Sequence, residues 1–125
     1  MTGPVNEHTG GFVAHKHLRD TQKEMILDGI QVLSKGGFLL AAAPTGIGKT
    51  AAALASVLEI SRNTPEQPQI MFLTGRQSQH RIVIDTIRLI NSRLSEGISH
   101  VKVVDIIGRE SMCEYVDRMT GKCNC

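Results

Sequence analysis

The sequence predicts an α/β fold, a parallel sheet with flanking helices, on two observations. Short apolar runs without polar alternation, such as "FLLAAA" and "IMFLT", alternate with longer segments of helical period. The first run leads directly into a glycine-rich turn, "PTGIGKT", and then into an alanine-rich helical stretch. Apolar runs of that length are expected of strands covered on both faces, and strands that alternate with helices predict βαβ units. A chain of 125 residues can bury one core of this kind but not two.

Residues 1–17 are rich in Gly, Thr, Pro and His with no sustained period, and read as a flexible lead-in. His15 and His17 form an H-x-H pair able to chelate a metal, but no other ligand-type residues cluster with them, and a solvated tail is the preferred reading. Met25, Ile26, Ile30 and Leu33 then recur at helical spacing. Asp20 or Thr21 can cap that helix and Gly36-Gly37 can stop it, which gives 21–35. The run at 38–43 is the first expected strand, and Leu54, Val57, Leu58 and Ile60 mark the helix after the turn. Two prolines in "NTPEQPQ" end that helix, and "IMFLT" at 70–74 is the second expected strand. "QSQHRIVIDTIRLINSRLSEG" is amphipathic, with Val83, Ile87, Ile90 and Leu94 on one face, and "HVKVVDIIG" supplies a third strand.

Composition narrows the function classes. With 14 basic and 12 acidic side chains the chain has no strong overall field, so any anion site must be local. No apolar run approaches the roughly 20 residues that cross a bilayer, and "MTGPVNEHTGG" lacks the basic start and apolar core of a signal peptide. A soluble intracellular protein, cytoplasmic in a prokaryote and without a membrane partner, is the expectation. Thiols stay reduced there, which favours metal or cluster ligation over a disulfide for Cys113, Cys123 and Cys125.

The sharpest motif is "APTGIGKT". It fits the phosphate-binding P-loop pattern, with Ala43 where the first glycine usually stands. Ala43, Pro44, Thr45, Gly46, Ile47 and Gly48 would form the loop, its glycines letting successive N–H groups face phosphate oxygens at the positive end of a helix. Lys49 would reach the β- and γ-phosphates of ATP, and the Thr50 hydroxyl would hold Mg2+. Hydrolysis also needs an acid on a neighbouring strand, and no apolar run ends in Asp-Glu. Asp105 closes "VKVVD", whereas Asp85 falls inside an expected helix, so the catalytic half reads as incomplete.

Together, "RDTQKEM", "APTGIGKT", "FLTGRQSQ" and "GRESMC" occur in the order and approximate spacing of the N-terminal part of XPD-like iron–sulfur DNA helicases, the superfamily 2 branch that includes DinG-type enzymes. The resemblance covers about residues 19–125. It implies a P-loop NTPase (RecA-like) sheet over 18–108 as an incomplete first helicase domain, and the start of an iron–sulfur domain over 109–125. By that resemblance Gln22 reads adenine, and Thr74, Arg76 and Gln79 lie along single-stranded or forked DNA, with Arg76 one position later than the family's usual basic residue. Cys113, Cys123 and Cys125 would be three ligands of a 4Fe–4S cluster, the C-x-C pair being tighter than the usual C-x-x-C and the fourth ligand lying in a missing C-terminal remainder. The segment alone would then bind ATP without hydrolysing it. Two other readings stay open: a stand-alone P-loop module with a cysteine metal or redox switch, and, more weakly, a kinase-type enzyme.

Overall fold

The structure, a computed structural model, describes residues 11–44 and 48–123. Thr45, Gly46, Ile47 and Cys125 therefore lie outside the described residues. Three long helices organise the rest: α1 (Asp20–Ser34), α2 (Lys49–Asn63) and α3 (Gln77–Arg93), followed by the single turn α4 (Arg109–Met112).

The helices form close to where the sequence places them, although the N-cap of α1 is Arg19 rather than Asp20 or Thr21. α1 ends as expected, with Gly36 at φ 72° and the Gly36 and Gly37 amides bonded back to the Leu33 and Val32 carbonyls. Gly36 accepts that left-handed turn without the Cβ clash an L side chain would meet. The Thr64 hydroxyl donates to the Ile60 carbonyl just before Pro65 ends α2.

α2 is the middle helix, packed on α1 along one side and α3 along the other. Its alanines allow both approaches. Ala52 and Ala55 pack with Val13 and Ile26 on the α1 side. On the other side Ala51, Leu54 and Leu58 meet Val83, Ile87 and Ile90 of α3. The expected apolar face of α3 is thus the face that is buried. Phe12, Val13 and Ala14 add a contribution that the lead-in reading of 1–17 did not contain. All three are buried, and their extended alternation sends Phe12 and Ala14 into the α2–α3 cluster and Val13 into the α1–α2 cluster.

The parallel sheet, and with it the P-loop NTPase (RecA-like) α/β class, is corrected by the structure. Among the described residues the architecture is a three-helix bundle, and the only β pairing is an isolated antiparallel bridge between Val116 and Cys123. The runs expected as strands are extended, yet no backbone hydrogen bond joins one to another. Each lays alternate side chains toward the helices: Leu39 is 40% exposed between Phe38 and Leu40 at 99%, and Phe72 is 39% exposed between Met71 at 83% and Leu73 at 81%. The physical reason is pairing. Apolar alternation lets a segment lean on a helix, but a strand exists only when a neighbour takes up its N–H and C=O groups.

The third run is strapped down by side chains instead. Asn91 brackets Val101, its Nδ2 donating to the Val101 carbonyl at 3.0 Å and its Oδ1 accepting the Val101 N–H at 2.8 Å. Arg62 donates to the Ser99 and His100 carbonyls at 3.0 and 3.3 Å while lying 5.9 Å from the Phe12 ring centroid. His80 Nδ1 meets Asp105 Oδ1 at 2.6 Å.

Candidate functional site: a glycine turn at the start of α2

Gly48 and Gln22 define the site. Gly48 is the N-cap of α2 with φ 79° and ψ 45°, a left-handed conformation that suits glycine. A Cβ at this position would also collide with the Gln22 amide. Gln22, in the first turn of α1, is 4% exposed although polar. Its Oε1 accepts the Arg19 N–H at 3.4 Å, and its Nε2 donates to the Gly48 carbonyl at 3.3 Å. One amide thus closes the start of α1 and ties it to the turn before α2, across 26 residues of sequence.

Lys49 opens α2 and is exposed. Its Nζ donates to the Ala43 carbonyl at 3.0 Å. Thr50, half-buried, follows it in the first helical turn. Four backbone N–H groups at such a helix start lack intrahelical partners, and the helix dipole places partial positive charge beside them. No acidic residue occupies the first turn of α2, so nothing there opposes an anion.

A cleft of about 250 Å³ lies beside the turn, lined by Thr21, Glu24, Met25 and Asp28 of α1 and by the run from Leu39 to Pro44. It is smaller than the several hundred Å³ typical of nucleotide-sized sites. The carboxylates of Glu24 and Asp28 disfavour a phosphate inside it.

The other expected site residues are dispersed. Thr74 is half-buried, its hydroxyl donating to the Arg76 carbonyl at 3.2 Å, and Arg76 is the exposed N-cap of α3 with Gln79 in the following turn. Asp105 is occupied by His80, and His15 and His17 are exposed. Cys113 and Cys123 are joined as a disulfide with a Cα–Cα distance of 5.9 Å. Among the described residues no three His, Cys, Asp or Glu side chains gather as metal ligands. Two sulfurs bonded to each other do not provide the four thiolates of a 4Fe–4S cluster, so no step is assigned to one here.

What sequence reading missed at the site is the double use of Gln22. A glutamine three residues beyond a helix N-cap signals a capping role, but the Gly48 contact is tertiary and leaves no local mark. No family model, curated protein or solved structure matches this sequence. No helix among the described residues is long and apolar enough to cross a membrane.

Proposed function

We propose that the chain binds ATP with Mg2+ through the Gly48–Lys49–Thr50 turn, and that it is the ATP-binding segment of an ATP-dependent DNA helicase that translocates on single-stranded DNA and unwinds duplex. The observation that carries the proposal is the seating of the Gln22 amide on Gly48 at the start of α2. It brings the two sequence elements assigned to adenine and to phosphate into contact without requiring a sheet.

The chemistry follows from the groups present. On binding, Lys49 exchanges the neutral Ala43 carbonyl for anionic phosphate oxygens. The Thr50 hydroxyl would hold Mg2+, and the first-turn N–H groups of α2 would receive the phosphates. The Gln22 amide, by the resemblance, is the group that would read adenine. The start of α3, with Arg76 exposed, is the DNA-facing element of this reading, and an intracellular, nucleoid-associated location accompanies a DNA partner. Translocation needs an acid to orient water and a second lobe, so the 125 residues alone bind and do not turn over.

Equilibrium binding of a fluorescent ATP analogue to the full chain tests this. Saturable, Mg2+-dependent binding that weakens at least tenfold in Lys49→Ala is expected, with loss of adenine preference in Gln22→Ala. Binding that is absent, or indifferent to Lys49, refutes the proposal. The cysteine pairing favours one second reading, a stand-alone nucleotide-binding module with a redox switch. In that case ATP binds as above, but single-stranded DNA binding is absent and Arg76→Ala changes nothing.

A further inference from the structure

We infer that Cys113 and Cys123 form a reversible dithiol–disulfide site, oxidised by exchange with a low-molecular-weight disulfide of the glutathione class. The inference does not depend on nucleotide binding. It rests on the hairpin between the two residues, which brings them together by bonds that owe nothing to sulfur. Asp117 organises that hairpin. Its carboxylate accepts the Met119 N–H at 2.7 Å and the Thr120 N–H at 3.1 Å. Its backbone N–H donates to the Lys122 carbonyl at 2.9 Å, and its carbonyl accepts the Gly121 N–H at 2.8 Å. Gly121 takes φ 67° to complete the turn. The Val116–Cys123 bridge then sets the Cys113 and Cys123 Cα atoms 5.9 Å apart, inside the range that a disulfide spans without moving the backbone.

Both cysteines are half-buried, so a small disulfide can reach them. One cysteine thiolate attacks a sulfur of the small disulfide, forming a mixed disulfide and releasing one small thiolate. The second cysteine thiolate then attacks the protein sulfur of that mixed disulfide and expels the other small thiolate. In sum the two cysteines lose two protons and two electrons, and the small disulfide is reduced to two thiols.

The test equilibrates the reduced full chain with glutathione and glutathione disulfide in defined ratios, traps free thiols by alkylation after acid quenching, and maps the products by mass spectrometry. A Cys113–Cys123 bond exceeding singly glutathionylated chains at least tenfold is expected, unchanged in Cys125→Ser. Asp117→Ala, which removes two turn bonds, should shift the equilibrium about five- to tenfold toward the dithiol. The proposal is overturned by dominant glutathionylated cysteines, by pairing through Cys125, or by an Asp117→Ala chain that titrates like the wild type.

Discussion

Gly48 carries two constraints at once, a positive φ and the closeness of the Gln22 amide. Gly48→Ala should therefore cost about 1–2 kcal/mol for the left-handed backbone, with a further loss from displacing Gln22. Chemical denaturation separates the two, because in a Gln22→Ala background only the backbone share should remain. An equal cost in both backgrounds would mean that the amide yields freely. Asp117 makes a prediction in pH. Hydrogen bonds from the Met119 and Thr120 amides, in that order, hold its carboxyl below the ordinary carboxylate range. A lowered carboxyl stabilises the turn wherever it is ionised, and that stabilisation is lost as pH falls from the unfolded value of roughly 3.9 through the folded one. In NMR spectra from pH 6 downward, the Met119 and Thr120 amides should hold their positions until below about pH 4 and then move together. Movement centred near neutrality would point to another group.

At the scale of elements, α1 and α2 meet through Gly29. A Cβ there would fall 2.5 Å from the Ser56 hydroxyl, which is itself bonded to the Ile26 and Ala52 carbonyls. Gly29→Ala should overpack this crossing by about 1–3 kcal/mol, although alanine is the better helix former. Ser56→Gly should recover part of that loss in the double variant, measured as a coupling free energy. Additive effects would place the strain elsewhere. These helices were legible because the 3.6-residue period, the Gly36-Gly37 stop and the prolines after Asn63 are local signals. The Gly29–Ser56 crossing was not legible, since a glycine inside a helical pattern looks only like a weak point. The roles of Phe12, Val13 and Ala14 were hidden for a similar reason. Three residues are too few to establish a period, and their burial depends on the groove between helices distant in sequence.

For the whole molecule, the failed expectation of a sheet and the open surface of the bundle have one cause. Apolar runs state which segments avoid water, but not which partner receives their backbone groups. Here the helices cover one side of each extended run and leave Phe38, Leu40, Met71, Leu73, Val104 and Ile106 facing outward. Extended backbone without a ladder, carrying exposed apolar side chains, is a template for pairing between chains. The near balance of charge, 14 basic against 12 acidic, supplies little repulsion to prevent it. The chain is therefore expected to self-associate as its concentration rises into the tens of micromolar. Sedimentation velocity should show a rising weight-average mass, and a chain carrying Leu40→Lys, Met71→Lys and Val104→Lys should stay monomeric. Those side chains are 99%, 83% and 84% exposed and belong to neither core cluster, so helical content by circular dichroism should not change. A wild-type chain that remains monomeric throughout would show that the extended runs satisfy their backbone groups with water alone. Loss of helix in the triple variant would show instead that these runs support the bundle itself.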